Sequence, residues 1–298
     1  MKRKYPRVSI ATTCELFGKG RQAWYGRLGT YQKRQFEISM VLSWVREIRE
    51  VLPKTGVHKL YEMLKPKFEE FNIKMGRDKL WRLLQYHKLL VPKRRRAGPR
   101  TTNSYHNFWK YPNLVEEITP TRPGQIWVSD ITYIRLKNDG FAYLSLITDA
   151  YSRKIIGHRL NSNLHTQGPL KALKMALEQR KRPDNKLIHH SDRGIQYFSH
   201  TYTGLLQHHK ISISMTEGGS PTQNAIAERV NGILKTELGL KKEFRNIYEA
   251  ERAVESAIYR YNFIRPHSSC NNLVPVKAHQ MCGTLRKRWY KRKYPEPG

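Results

Sequence analysis

Apolar residues recur at helical spacing in the first third of the chain. Between residues 36 and 52 they follow at intervals of three and four, and Pro53 and Gly56 end the pattern. Two shorter helical patterns span residues 57–71 and 76–90, with a brief turn region between them. They predict a helix-turn-helix of the DNA-reading type, and a small helical bundle with a solvated basic face is the alternative. The outer side of its second helix carries Arg77, Lys79 and Arg82.

The pattern changes after residue 124, where runs of β-branched and aromatic residues replace helical spacing. Strands are predicted at 125–134, 141–148, 154–160, 187–191 and 211–215, and helices at 166–179, 199–208, 224–238 and 248–262. The first three strands are joined by short turns, which indicates an antiparallel meander. Their order predicts an α/β fold with a mixed five-stranded sheet and flanking helices, after an all-α region. The first 30 residues are less regular, with a possible short helical pair at 9–25.

The charge of the chain indicates a polyanionic partner. Its 298 residues include 55 Lys and Arg but only 24 Asp and Glu, a net charge of +31. Such an excess favours nucleic acid, ahead of an acidic membrane surface or an acidic protein. Three separated cysteines fit neither a disulfide framework nor a zinc site, and no apolar run is long enough for a signal or a membrane span. We therefore expect a soluble protein of a reducing compartment, with no membrane partner.

Composition divides the chain into five segments. They are an N-terminal basic helical region (1–54), a helix-turn-helix-like domain (55–92), a basic linker (93–122), an α/β domain (123–280) and a basic tail (281–298). In the linker, Arg94, Arg95 and Arg96 are expected to lie along DNA phosphates. The tail interleaves aromatic and basic residues, which suits base stacking, although a tail that only raises solubility is an equal alternative.

Three carboxylates stand out because acids are scarce in this chain. Asp130 interrupts an otherwise uncharged strand, Asp192 follows the fourth strand, and Glu228 lies in the helix that begins near Asn224. Side-by-side packing of the first and fourth strands would bring the two aspartates together. Hard divalent cations choose such oxygen ligands, and a pair of Mg²⁺ ions suits in-line phosphoryl displacement. For each acid taken singly, a structural salt bridge is the alternative.

The helix that carries Glu228 presents further polar residues on the same face. Asn224, Asn231 and Lys235 lie at helical spacing from Glu228. We expect Lys235 to contact a phosphate near the scissile end, with an ordinary surface lysine as the alternative. The two amides are expected to be DNA contacts as well.

Four motifs together resemble the catalytic core of retroviral-integrase-like transposases. They are WVSDITY at 127–133, HSDRG at 190–194, TEGGSPTQNAIAER at 216–229 and YNFIRPHS at 261–268. Asp192 and Glu228 enclose 35 residues, and Lys235 follows seven positions after Glu228, both as in that family. The chain is most similar to the second-reading-frame (OrfB) protein of bacterial insertion sequences of the IS-three type. The resemblance covers residues 55–280 and implies a ribonuclease-H-like fold.

The resemblance also implies an activity. Asp130, Asp192 and Glu228 would be the catalytic DDE acids and would hold two Mg²⁺ ions, for which Mn²⁺ can substitute. The enzyme would cleave double-stranded DNA at terminal inverted repeats and join the ends to target DNA. It would act as a homo-oligomer in the bacterial cytoplasm, at the nucleoid, with an upstream-frame helix-turn-helix protein as a possible partner. The alternatives are a non-catalytic DNA-binding derivative and a ribonuclease-H-like nuclease for RNA–DNA hybrids.

Overall fold

A computed structural model describes residues 8–92, 111–138, 140–180, 186–217 and 224–286. Three features of the sequence analysis lie outside these ranges. They are the linker residues Arg94, Arg95 and Arg96, the segment 218–223 before the helix of Glu228, and the tail from residue 287.

The described elements follow the predicted order. The helices are α1 (Ile10–Leu16), α2 (Arg21–Val51), α3 (Val57–Glu70), α4 (Arg77–Tyr86), α5 (Gln167–Glu178), α6 (Ile195–Phe198), α7 (His200–His208), α8 (Ala225–Thr236), α9 (Ile247–Tyr259) and α10 (Pro275–Ala278). The strands are β1 (Ile126–Leu136), β2 (Gly140–Asp149), β3 (Ile155–Asn161), β4 (Ile188–Ser191) and β5 (Ser212–Met215). A π-helical turn, Arg260–Ile264, continues α9. The one-turn helices α6 and α10 were not predicted, because so few residues carry no periodicity.

The five strands form one mixed sheet in the order β3-β2-β1-β4-β5. Strands β1, β2 and β3 are an antiparallel meander, whereas β4 pairs parallel with both β1 and β5. This arrangement confirms the predicted ribonuclease-H-like sheet. The central position of β1 also places its carboxylate, Asp130, next to β4.

Helices cover both faces of the sheet. On one face, apolar residues of α8 and α9, such as Val230, Leu234 and Val254, pack against Ile134 and Leu144. On the other face, α5 and α7 supply the apolar layer, which includes Ala172, Leu173 and Leu206. Because successive side chains of a strand point to opposite faces, β1 serves both layers, with Ile134 in the first and Trp127 in the second.

The N-terminal helices form a separate apolar core that contacts the sheet domain. Val41 and Val45 of α2 pack with Leu60 of α3 and with Leu80 and Leu84 of α4. The end of α2 reaches the other domain, because Leu52 joins the core beneath α8 and α9. An Arg260 guanidinium also donates to the Val51 carbonyl at 3.2 Å. The predicted helix pair at 57–90 also contacts the α/β domain, because Met63 of α3 packs against that core and Lys59 pairs with Glu237.

The start of α2 differs from the prediction. A helix was expected from residue 36, but α2 begins at Arg21 and runs for 31 residues. Gly26 and Gly29 suggested a break, yet each costs a helix only about 1 kcal/mol relative to alanine and does not end it. In the described ranges, none of the helices combines the length and apolar character that a membrane span needs.

Gly157 allows α5 to approach the sheet closely. A Cβ atom at residue 157 would overlap with the backbone carbonyl oxygen of Ala172 and would crowd the Ala176 side chain. Backbone atoms of a helix cannot move aside as a flexible side chain can. This position therefore requires a residue without a side chain.

We predict that Gly157→Ala lowers the free energy of unfolding by about 1–3 kcal/mol, because α5 must shift away from β3. Denaturant unfolding of the full chain measures the change. Gly204→Ala is the matched control, because that glycine lies in α7 with no atom within 4 Å of an added Cβ. The control should be as stable as the parent or slightly more so. Equal stability of the two variants would contradict the close packing of α5.

Candidate active site

Asp130 and Asp192 lie level with each other on neighbouring parallel strands. The register pairs Ile126 with Ile188 and Val128 with His190, an offset of 188 − 126 = 62 residues. Asp192 follows Asp130 by the same 192 − 130 = 62 residues, one position beyond the end of β4. The sheet thus brings the two aspartates together, as the sequence predicted.

Hydrogen bonds fix the orientation of the half-buried Asp130 carboxylate. One oxygen accepts from the Ile131 backbone N–H at 2.9 Å, and the other accepts from the Asn231 side-chain amide at 2.6 Å. Asn231 belongs to α8, three residues after Glu228. The helix that carries the third acid is therefore tied directly to the first acid.

Asp192 is held at the turn that follows β4. Its Oδ1 atom accepts from the Gly194 backbone N–H at 3.0 Å. A Cβ atom at residue 194 would lie 3.0 Å from the same oxygen, so a larger residue would crowd the carboxylate. The Asp-Arg-Gly sequence at 192–194 thus positions the acid by a local backbone contact.

Glu228 lies in the first turn of α8 and is exposed. The helix is anchored over β1 at its start, where the Asn224 side chain donates to the Ser129 carbonyl at 3.2 Å. Asn224 and Asn231 were both predicted as DNA contacts. The structure instead buries their side chains, at 7% and 8% exposure, against β1. In the sequence, their position on the same helix face as Glu228 indicated that both amides belong to the site.

The electrostatics of the site disfavour the charged form of Asp130 most clearly. Burial first, then the charge of Asp192 and the weaker effect of Glu228, raise the pKa of Asp130 to about 7, despite the two hydrogen bonds that oppose the shift. Burial also raises the pKa of Asp192 and that of Glu228. Asp130 is thus the carboxylate on which the charges of the other two acids act.

This donor set suits a hard divalent cation. Carboxylate oxygens are the ligands that Mg²⁺ prefers, and a cation would relieve the repulsion that raises the Asp130 pKa. Within the described ranges, no three acidic, His or Cys side chains are close enough in this conformation to hold one ion together. Glu228 follows the segment 218–223, and its side chain would have to reach the aspartates to complete such a site.

The layer beneath the acids is polar and internally bonded. The Ser129 hydroxyl contacts the Tyr197 hydroxyl at 3.0 Å and donates to the Leu146 carbonyl. His189 contacts the Tyr202 hydroxyl at 2.9 Å, and His190 contacts the Ser214 hydroxyl at the same distance. Burial lowers the pKa of His189 to about 3, so this imidazole is neutral at physiological pH. These contacts support the end of β4 from which Asp192 projects.

The residues predicted to bind DNA are placed in different parts of the molecule. Arg77, Lys79 and Arg82 are exposed on α4, where the Arg77 side chain contacts Asp78 at 3.4 Å. Lys235 lies in the last turn of α8, beyond Asn231 on the same helix. The structure thus brings Asp130 together with Asp192 and Asn231, and Asn224 anchors the helix on which Glu228 is exposed. The α4 cations form a separate basic surface.

Comparisons with known proteins agree with this geometry. Residues 120–221 match a family model described as an integrase core domain, and residues 209–275 match a second model of the same description. Over 282 residues, the chain is 33% identical to the insertion element IS600 uncharacterized 31 kDa protein of Shigella sonnei, covering 90% of this chain and 99% of that protein. It is 31% identical over 276 residues to the transposase InsF for insertion sequence IS3A of Escherichia coli, covering 90% and 92%.

The chain also resembles a solved structure. The HTLV-2 integrase catalytic core domain, in complex with magnesium, is 18% identical and superposes with a TM-score of 0.40, covering 53% of this chain and 97% of that domain. The family models and the near full-length relatives carry the assignment. The chain therefore belongs to the DDE transposases of the IS3 type, whose catalytic domain is an integrase core.

Proposed function

We propose that this transposase catalyses Mg²⁺-dependent DNA strand cleavage and strand transfer at the ends of an insertion sequence. Asp130, Asp192 and Glu228 are the catalytic acids of the proposal. The observation that carries it is the juxtaposition of Asp130 and Asp192 by the parallel pairing of β1 with β4, with α8 tied to Asp130 through Asn231. Burial and the charges of the other two acids raise the pKa of Asp130, as is typical of a site that is completed by cations.

The three acids would hold two divalent ions. Enzymes with an integrase core use divalent metal ions. When bound, such a pair supplies Lewis-acid activation of the attacking oxygen and stabilisation of the leaving oxygen. Mn²⁺, which shares the preference of Mg²⁺ for oxygen ligands, can substitute in the proposal.

The chain's own residues orient the acids in this proposal. The Asn231 amide holds one Asp130 oxygen and leaves further lone pairs of the carboxylate for a cation. The bond from Asn224 to the Ser129 carbonyl fixes the start of α8 over β1. These two amides are positioning residues, because they act through Asp130 and α8.

Both chemical steps are phosphoryl transfers. Cleavage hydrolyses one phosphodiester bond, whereas strand transfer exchanges one phosphodiester bond for another. In cleavage, water attacks a phosphorus atom at the element's end, the bond to the 3′ oxygen breaks, and a 3′-hydroxyl is released. In strand transfer, that hydroxyl attacks a target phosphodiester, and the target's own 3′ oxygen leaves with the proton. Neither step needs a covalent intermediate with the protein.

Basic residues supply the DNA-binding surface of the proposal. In the proposal, the exposed Arg77, Lys79 and Arg82 of α4 would contact phosphates or bases, and Lys235 would add a phosphate contact near the end of α8. Arg94, Arg95 and Arg96 would continue this surface from the linker. The net charge of +31 supports a substrate as highly charged as terminal inverted repeats and target DNA.

Assembly and location complete the proposal. We place the protein at the bacterial nucleoid, because its near full-length relatives are bacterial and its charge favours DNA. A homo-oligomer on the DNA would bring two ends together for joint transfer. An upstream-frame helix-turn-helix protein would assist end recognition, as the family resemblance implies.

We predict that Asp130→Asn abolishes Mg²⁺-dependent nicking of DNA that carries the element's ends. The loss should exceed the roughly 10–100-fold that removing a supporting partner of a metal ligand costs, and Asn231→Ala should fall within that smaller range. Strand nicking in a gel assay measures both effects. Glu251→Gln is the matched control, because it removes an acid from α9, outside the site.

The control should nick DNA at the parent rate. Equal nicking by the Asp130→Asn variant and the parent would remove the catalytic claim and leave a basic DNA-binding protein. Cleavage of RNA–DNA hybrids that survives deletion of residues 1–100 would instead favour the nuclease alternative.

We predict that Asp130→Asn stabilises the metal-free protein above neutral pH. The folded Asp130 has a pKa of about 7 against an ordinary value of 3.8, so the folded state binds the extra proton between these values. The free energy of unfolding therefore falls as the pH rises from about 4 to 7. At pH 8 in EDTA the variant should be more stable by up to about 4 kcal/mol, because the amide carries no charge.

Thermal unfolding in EDTA and in Mg²⁺ tests this second prediction. Mg²⁺ should raise the Tm of the parent and of Glu251→Gln, but should leave Asp130→Asn nearly unchanged. A variant that is less stable than the parent in EDTA, with no effect of Mg²⁺ on the parent, would contradict the proposed repulsion.

A further inference from the structure

A cationic cleft lies beside α8, on a different side of the helix from Glu228. Its cavity volume is about 460 Å³. Ile226, Arg229, Val230 and Ile233 of α8 line it, and this spacing of three and four residues defines one helix face. Glu228 and Asn231 occupy another face of the same helix. The cleft is therefore separate from the site of the three carboxylates.

Four cations from separate segments meet in this cleft. Lys59 comes from α3, Arg153 from the turn between β2 and β3, Arg229 from α8, and Arg265 from the segment after the π-helical turn. Burial and the Arg265 charge lower the pKa of Lys59 to about 8. A bound anion would offset both the burial and the repulsion that disfavour the Lys59 ammonium.

Among the described residues, Glu237 is the carboxylate that pairs with three of these cations. One of its oxygens accepts from two nitrogens of Arg265, at 2.9 and 2.8 Å, and from Lys59 at 3.3 Å. Arg229 reaches the other oxygen only at 3.8 Å, too long for a hydrogen bond, and its side chain is 62% exposed. Glu237 is thus paired closely with Lys59 and Arg265, which leaves the Arg229 guanidinium with donors for a ligand. Arg153 donates to the Ala150 carbonyl and contacts the Ser269 hydroxyl at 3.5 Å.

A buried imidazole in the same cleft has a ring nitrogen without a partner. His267 is 6% exposed, and its Nε2 atom makes no hydrogen bond within the described structure. Burial and the surrounding cations, Arg265 foremost, hold the pKa of His267 well below its ordinary value. The neutral ring can donate from Nε2, and a buried polar atom without a partner is costly. The orphaned nitrogen is an observation independent of the charge count.

The start of α8 adds a third feature. Ala225 and Ile226, in the first turn of this 12-residue helix, also line the cleft. First-turn N–H groups lack partners within a helix, and the helix dipole gives this end a partial positive charge. Side-chain cations, the imidazole of His267 and the start of α8 therefore line one cavity.

We propose that this cleft binds a phosphate group of the DNA backbone. Arg229 and Arg153 contact the phosphate oxygens, His267 donates from Nε2, and Arg265 and Lys59 provide the surrounding field. The preference for phosphate rests on the charge and donors of the cleft alone. The assignment of that phosphate to DNA rests on the proposed function.

The position of the cleft gives the bound phosphate a second effect. Arg229 is the residue next to Glu228, and Lys59 belongs to the helical region that carries the α4 basic surface. One backbone phosphate in the cleft would contact both the N-terminal helices and the catalytic helix. DNA binding there would hold α8 in place and so position Glu228.

Salt-dependent DNA binding by the full chain in EDTA tests the site without catalysis. The variants are Arg229→Gln, Arg153→Gln and the double variant, with Arg252→Gln on the exposed side of α9 as the charge-matched control. Anisotropy of a short labelled duplex is measured over roughly 50–200 mM KCl. We expect the double variant to bind about tenfold more weakly, as for a lost charge-assisted contact, and the control to bind like the parent. The salt slope should fall by about 0.9, the equivalent of one phosphate.

The His267 ring supplies a readout that a merely unstable variant cannot mimic. Duplex DNA should shift the Nε2 resonance of His267 in the ¹⁵N NMR spectrum of the parent, and Arg229→Gln should abolish that shift while the other histidine signals keep their positions. Inorganic phosphate alone forms a second arm. A shift with inorganic phosphate but not with DNA would assign the cleft to a free anion and overturn the DNA contact.

Parent-like affinity, slope and His267 signals in the double variant would overturn the site entirely. These outcomes are independent of catalysis. A protein that fails to nick DNA in Mg²⁺ but shows the expected binding changes would refute the proposed function and keep the phosphate cleft. The reverse result would refute the cleft alone.

Discussion

The parallel pairing of β1 with β4 is the constraint on which the candidate site depends. It sets Asp130 level with Asp192, and α8 begins over β1 with Glu228 in its first turn. Burial, together with the charges of Asp192 and Glu228, raises the pKa of Asp130 to about 7. A fold selected for stability alone would not collect acids in a half-buried cleft. The hydrogen bonds from Asn231 and from the Ile131 backbone reduce this cost but do not remove it.

Helix α8 connects that acidic site to the positive charge of the rest of the molecule. One face supplies Glu228 and Asn231, and another supplies Arg229 to the cationic cleft beside Lys59 and Arg265. In our account the face with Glu228 contributes to metal binding, and the face with Arg229 binds a phosphate. Cations and DNA would thus relieve opposite charge excesses on two sides of a single helix. The contact of Lys59 with Glu237 links the N-terminal helices to the C-terminal end of α8, which Glu237 caps.

The sequence was sufficient for the sheet and for the convergence of Asp130 and Asp192, because strand order and parallel pairing follow from alternating strand and helix patterns. It did not predict the burial of Asn224 and Asn231 against β1, since the contacts of a polar helix face depend on how the helix is rotated against the strand. The cleft around His267 could not be predicted, because its cations come from four distant segments. The predicted start of α2 was wrong, because the exposed residues before position 36, with two glycines among them, carry little apolar periodicity.

The central claim is that three acids share one electrostatic site that is incomplete without cations. Carboxyl-detected ¹³C NMR of the metal-free protein measures it most directly, through the titration of the Asp130 side chain. Our account predicts a midpoint near pH 7, which moves towards the ordinary value when Asp192 or Glu228 is replaced by its amide. A midpoint close to 3.8 in the parent, unaffected by either replacement, would contradict the account.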